Sequence, residues 1–167
     1  MLEGNGYLAL EYVSALTVAL IMLIPQIALL MPLYTALVGG DLVAKEVEDG
    51  TLRMILSRPI SRFRLLLVKW LAGGIFSAAL VVMLGVTALG FARLWFPWQG
   101  MFVFIPGQIF NVLSPADGLR FYAFSHLFMT LNACTVLGIA LMFSSFNIKP
   151  AAATILALSL LFANLVM

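Results

Sequence analysis

The chain has 167 residues, 63% of them hydrophobic and 10% charged, whereas soluble domains are about half apolar and a quarter charged. A domain this short cannot hide that excess from water, which excludes a soluble globular fold and points to lipid as the main solvent. The net charge of +2 is too small to argue for nucleic acid, and the single cysteine, Cys134, excludes an intrachain disulfide and suits a small packing residue in an apolar run.

The first residues carry Glu3 and Glu11 but no Lys or Arg, so the basic start of a cleavable signal peptide is missing. A bilayer core of about 30 Å needs about 20 apolar residues in a helix. Residues 13–38 supply the first such run, interrupted by Pro25, Gln26 and Pro32. Proline bends a helix and frees backbone carbonyls, which membrane proteins accept where neighbours re-satisfy them. Pro25 and Gln26, with Asn132 or Asn164 further along, are candidates to line a translocation path. The alternative for the same residues is helix packing through interhelical hydrogen bonds. Thr35 with Gly39, and Gly74 with Ala78, are small residues four apart that permit close helix contact.

Residues 41–64 form the one long charged segment. Six of the nine Lys and Arg (Lys45, Arg53, Arg58, Arg62, Arg64, Lys69) fall in or just after it, with the acids Asp41, Glu46, Glu48 and Asp49. Asp41, Lys45, Asp49 and Arg53 recur every four residues with alternating sign, which on a helix makes one ion-paired stripe. Gly50 interrupts that helix, since glycine costs about 1 kcal/mol relative to alanine in a helix interior. The pattern predicts a first helix ending near Asp49, then a short second one through Ser57, with Asp49 or Thr51 as its N-cap. Leu52, Ile55 and Leu56 would share its apolar face. Arg58-Pro59 ends it, because the residue before proline avoids the helical region, and Ser61 can cap the next span. Positive-inside anchoring accounts for Arg58, Arg62, Arg64 and Lys69 but not for an apolar face beside four acids. An apolar face rimmed by charge is a docking surface or an interfacial helix, and anionic lipid repels four carboxylates, which favours a soluble protein partner.

Two further apolar runs span 65–92 and 121–146, and a shorter fourth spans 151–167. Between the second and third, residues 94–119 hold Trp95, Trp98 and several Phe, which suit the headgroup level. Pro97, Pro106 and Pro115 preclude a continuous spanning helix there, leaving an interfacial segment with one short helix around Gly107–Leu113. Short-loop Lys and Arg set orientation. With 41–64 cytoplasmic, seven of the nine basic residues lie inside, Lys149 included, and only Arg93 and Arg120 outside. The expectation is an all-α, polytopic transmembrane helical bundle with four spans and an outer aromatic loop. An N-terminus outside and a short last run suggest a piece of a longer protein.

Two enzyme readings fail on inventory. Ser125-His126 has no Gly-x-Ser-x-Gly elbow and no acid nearby, which excludes a serine protease, and one His with one Cys are too few ligands for zinc. His126 near an interface is either a proton-sensitive group or wet and inert.

The run Glu46-x-Glu48-x-Gly50-Thr51-Leu52-x-x-x-Leu56-Ser57-x-Pro59-Ile60-Ser61-Arg62, with Lys69 at the next span, resembles the cytoplasmic loop of ABC-2-type permeases, the membrane subunits of ATP-binding-cassette transporters. Phe143-Ser144-Ser145 and Pro150-Ala151-Ala152-Ala153 resemble the family's inner turn between its fourth and fifth spans. Val47 departs from the family, where a basic residue is frequent. The resemblance implies a six-span fold of which this chain carries the second to fifth spans. It implies a coupling helix seated in a cleft of a separate ATPase, which would hold ATP and Mg, and a second permease copy as homo- or heterodimer. Leu52, Ile55 and Leu56 would fill that cleft, Glu46, Glu48, Asp49 and Arg53 would fix register, and Pro59, Ser61, Arg62 and Lys69 would end the loop and anchor it. The chain has no G-x-x-x-x-G-K-[ST] of its own. Export is the commoner role in the resembled family. The alternative from another class is a non-transporting anchor or assembly factor that docks a soluble partner through 41–64. A neighbouring gene for a Walker-motif ATPase favours the transporter.

Overall fold

In the computed structural model, residues 13–57, 61–105, 109–146 and 148–166 are described. The elements are α1 (Ala15–Pro25), a π-helical segment (Gln26–Leu30), α2 (Met31–Glu48), α3 (Thr51–Leu56), α4 (Arg62–Trp95), β1 (Met101–Ile105), β2 (Ile109–Leu113), α5 (Pro115–Ser144) and α6 (Pro150–Val166). Three helical stretches are long and apolar enough to cross a membrane: Ala15–Glu48, Arg62–Trp95 and Pro115–Ser144. The apolar α6 is shorter, at 17 residues. The fold is the expected all-α, polytopic one, with a single hairpin added among the described residues.

The exposed side chains along these helices carry the lipid signature directly. Ile75, Val82, Phe128, Leu131 and Ile155 are all more than half exposed, an arrangement that water would penalise. The buried positions mix small side chains, such as Ala36, Ala140, Ala157 and Ser144, with a few large ones, such as Leu16, Leu23 and Leu137.

The first apolar run is continuous helix across its prolines. Pro25 closes α1 and Pro32 lies at the start of α2, and Gln26–Leu30, five of the six residues between them, wind as a π-helix. Each proline removes an N–H from the ladder, and a wider turn is one of the recognised ways a helix absorbs that loss.

The chain divides into two compact units, Met1–Gln26 with Val81–Met129, and Ile27–Leu80 with Thr130–Met167. In the first unit, Ser14 caps α1 by accepting from the Thr17 amide at 3.3 Å, and Pro97 supplies its carbonyl to the Ala15 amide at 3.0 Å. The short helix expected around Gly107–Leu113 is not there. Met101–Ile105 pairs antiparallel with Ile109–Leu113, Met101 opposite Leu113 and Ile105 opposite Ile109. The composition explains the correction: the run is rich in the aromatic and β-branched residues that favour strands, and in a strand Met101 and Val103, two apart, turn inward together. A lone two-stranded hairpin is marginal in water, and this one rests on α1. Leu16, Met101 and Val103 form a cluster with Leu20, Leu89 and Leu113, and the Phe102 amide donates to Thr17 Oγ1 at 3.0 Å. Arg93 lies over the Trp98 ring at 5.9 Å.

The third apolar run begins six residues before the hydropathy suggests, because its start is written in polar residues. Ser114 accepts from the Asp117 amide and donates to the Asp117 carboxylate, while Pro115 takes the first helical position.

In the second unit, α2 packs against α6 and against the end of α5. Ala36, Val136, Ala140 and Ala157 form a buried cluster with Ile139, Phe143, Leu158 and Leu161 around it. Small residues let helix backbones approach in lipid, where dispersion and hydrogen bonds rather than water drive association. Gly39 and Gly40 set the closest approach. A Cβ on Gly39 would lie 2.7 Å from Ala140 Cβ, and one on Gly40 would collide with Thr154 Oγ1.

Candidate functional site

The charged segment begins on a buried helix. Gly39, Gly40, Val43 and Ala44 form the inward stripe of α2 while Asp41, Lys45, Glu48 and Asp49 stay exposed. At about 1.5 Å per residue, the 34 residues of Ala15–Glu48 measure about 50 Å, well beyond a bilayer core of about 30 Å. The last turns of α2 therefore project past the hydrocarbon.

The turn that follows is built from backbone hydrogen bonds and one glycine. Asp49 N–H donates to the Lys45 carbonyl at 2.9 Å and Gly50 N–H to Val47 at 3.2 Å. Gly50 has φ of 71°, the left-handed conformation that commonly ends helices and that a Cβ resists. Thr51 is the first residue of α3, and its hydroxyl donates back to the Glu46 carbonyl at 3.3 Å. Neither side chain proposed as N-cap serves as one: Thr51 bonds backward, and among the described residues no hydrogen bond reaches the Asp49 carboxylate.

Along α3, Leu52 is half-buried, whereas Arg53 and Met54 are exposed, Met54 by 68%. Ile55 and Leu56 lie in the helix; their side chains are outside the described set, as are Arg58, Pro59 and Ile60. Ser57 closes the helix, its amide donating to Arg53 and its hydroxyl to the Met54 carbonyl. Ser61 caps α4 as expected, its Oγ accepting from Arg64 N–H at 3.2 Å and its carbonyl from Leu65 N–H. Arg62 then opens α4.

The expected ion-paired stripe does not form. Among the described residues, Asp41, Lys45, Asp49 and Arg53 make no ion pair with one another, and Gly50 turns the chain before Arg53 reaches the α2 register. The pair that forms is Glu46 Oε1 with Lys69 Nζ, at 2.6 Å. Lys69 also donates to the Leu42 carbonyl. Glu46, Arg64, Leu65, Val68 and Lys69 line an open groove between α2 and α4. Glu46 thus faces its own chain, and only Glu48, Asp49 and Arg53 of the four expected rim charges are exposed.

A second contact on α2 escaped the sequence. Ser144, the last residue of α5, is fully buried. Its Oγ donates to the Gly40 carbonyl at 2.6 Å and accepts from the Val43 and Ala44 amides at 3.1 and 2.9 Å. Thr154 Oγ1, on α6, bonds the Ala36 and Pro150 carbonyls. The available signal was the Gly39-Gly40 pair immediately before the first charge, which marks a place where another backbone or a short side chain comes close.

The remaining candidates are placed separately. Pro25 is exposed at the end of α1, Gln26 is half-buried at the start of the π segment, and Asn132 is exposed on α5. The side chain of Asn164 is outside the described set. His126 Nδ1 lies 2.7 Å from the Tyr122 carbonyl, and its ring occupies the space a Cβ on Gly85 would need. Ser125 donates to the Phe121 carbonyl of its own helix, so no Ser–His couple assembles. Cys134 lies where a Cβ on Gly74 would touch its Sγ at 3.8 Å. Among the described residues no three His, Cys, Asp or Glu side chains converge as a metal site.

Comparison with known proteins agrees with this architecture. A family model described as "ABC-2 family transporter protein" matches residues 2–167. The "Uncharacterized protein YhcI" of Bacillus subtilis (strain 168) is 34% identical over 64 residues, which cover 37% of this chain and 20% of that protein. The chain thus spans about a fifth of the length of the curated relative it matches. No solved structure matches. Spanning nearly every residue, the family match together with the long apolar helices makes this chain a multi-pass membrane member of the ABC-2 transporter family.

Proposed function

We propose that the chain is the permease part of an ABC transporter that takes its energy from a separate ATPase, through residues 41–64 on the cytoplasmic side. The observation that carries this reading is α3: a six-residue helix, set off by the left-handed Gly50, at the end of a helix too long to finish inside the bilayer. Leu52, with Ile55 and Leu56, enters a cleft of the ATPase. Glu48, Asp49 and Arg53 lie at its rim and set register, while Glu46, Ser61, Arg62 and Lys69 hold the segment to α4, with Pro59 ending the loop. ATP and Mg reside on the ATPase, two permease copies and two ATPases make the working assembly, and movement of α3 swings the spans to export a substrate. The excess of Lys and Arg on one side of the spans supports the cytoplasmic assignment of the loop.

The test is Leu52→Asp in the full-length permease co-expressed with its ATPase. A carboxylate buried in an apolar cleft without a partner is strongly unfavourable. The variant is expected to insert and express normally but to lose co-purification of the ATPase and stimulation of ATP hydrolysis. Normal co-purification with normal stimulation sinks the coupling role.

A further inference from the structure

We infer that Lys69 is a positioning residue, a latch that makes the last turn of α2 and the first turns of α4 move as one body when the coupling segment moves. The inference rests on the coupling role proposed above and adds how displacement of α3 reaches a span.

The geometry is specific to one turn of helix. Leu42 and Glu46 are four residues apart and lie on the same face of α2. The Lys69 ammonium meets both, donating to the Leu42 carbonyl and pairing with Glu46 Oε1 at 2.6 Å. A bond to one residue would fix a distance between helices, whereas bonds to two residues one turn apart also fix where along α2 the ammonium sits. Glu46 ends this grip four residues before Gly50, the single left-handed residue of the turn. On the other side, Lys69 lies eight residues into α4 from the Ser61 cap. Force on α3 therefore has two routes into α4: along residues 57–61, or across the Lys69 contact, which bypasses them.

Burial makes the contact hard to release. The Lys69 side chain is 13% exposed and that of Glu46 31%. Glu46 Oε2 is shielded from solvent with no hydrogen-bond partner among the described residues, so Lys69 is the main compensation for that carboxylate. Lys69 is also the last charge before the uncharged, mostly apolar stretch 70–92 of α4, where a lone ammonium is unfavourable. Each charge is better satisfied by the other than by anything else within reach. The groove of Arg64, Leu65 and Val68 beside the pair leaves room for a swapped pair to be accommodated.

The experiment is a charge-reversal cycle on the full-length permease reconstituted with its ATPase in liposomes: Glu46→Lys, Lys69→Glu and the double swap. The latch predicts that both single reversals still co-purify the ATPase, because the α3 surface is untouched. Stimulation of ATP hydrolysis by the permease falls by about tenfold in each, and the swap recovers part of that loss through the restored ion pair, a coupling expected of residues in direct contact, but not all of it, because a carboxylate at position 69 cannot donate to the Leu42 carbonyl. A second readout places spin labels on the two latched helices, at the exposed Val47→Cys of α2 and Ile75→Cys of α4, in a Cys134→Ser background. The latched protein gives one narrow distance that ATP does not alter, and Lys69→Glu gives a broad or ATP-dependent one. Single reversals that stimulate like wild type overturn the latch, as does a swap that stays as poor as the singles or a distance unaffected by Lys69→Glu. Failure of the wild-type permease to stimulate, or normal ATPase binding and stimulation by Leu52→Asp, is a different result and overturns the coupling reading itself.

Discussion

Ser144 Oγ sits inside the hydrogen-bond ladder of α2, donating to the Gly40 carbonyl at 2.6 Å while it accepts from the Val43 and Ala44 amides. The helix that leads into the charged segment 41–64 is thereby tied to the end of α5 at the point where the chain stops being apolar. On the same stretch of α2, Gly39 and Gly40 let the neighbouring helices come close, since Cβ atoms there would meet Ala140 and Thr154. Ser144→Ala removes an acceptor and a donor from a fully buried site. A loss of about 1–3 kcal/mol is expected for a buried polar group left unsatisfied, read as a lower unfolding midpoint in detergent. Ser159→Ala, at an exposed serine that bonds only its own helix, is expected to leave the midpoint unchanged. Equal midpoints for the two variants would remove Ser144 from the packing account.

Gly50 separates backbone from side-chain effects. Nothing lies within 4 Å of a Cβ built there, so any substitution acts through φ alone. A left-handed conformation costs an L-residue about 1–2 kcal/mol, and asparagine tolerates it better than other residues. Gly50→Asn is expected to keep ATPase co-purification near wild type and Gly50→Val to reduce it several-fold, with both inserted normally. Equal binding by the two would mean that the turn at Gly50 does not orient α3.

The hairpin depends on a second close approach. A Cβ on Gly118 would lie 2.7 Å from Met101 Cβ and 3.3 Å from Leu16, so Gly118→Leu is expected to lift β1 off α1. Overpacking of this kind costs about 1–3 kcal/mol. Hydrogen exchange at the amides of Met101–Ile105 and Ile109–Leu113 should speed up markedly while the interior of α4 keeps its protection. Unchanged exchange in the strands would show that the hairpin is held without this packing.

Composition and periodicity made the all-α membrane class legible, because length, apolar runs and the Gly50 break all report local physics. The Ser61 cap and the short α3 were readable for the same reason. What could not be read were contacts between residues far apart in sequence. Ser144 meets Gly40 across about a hundred residues, and nothing local to either announces the other. The four-residue spacing of Asp41, Lys45, Asp49 and Arg53 carries no ion pair, as the break at Gly50 already implies for Arg53, and Glu46 pairs instead with Lys69, a partner 23 residues on that nothing local announces. The hairpin was missed for a related reason. Its prolines argue against a span, and the strand signal beside them is a short continuous apolar run rich in aromatic and β-branched residues, which periodicity alone does not tell from a buried helix segment.

The coupling of residues 41–64 to an ATPase is tested most directly by a photo-crosslinking amino acid at Met54, an exposed position on α3, in membranes containing the full-length permease and its ATPase. Irradiation is expected to give one main adduct whose peptides include a G-x-x-x-x-G-K-[ST] sequence, and Leu52→Asp should abolish it. An adduct with a polypeptide lacking that sequence, or labelling of Met54→Cys by a membrane-impermeant thiol reagent from outside intact cells, would contradict the account.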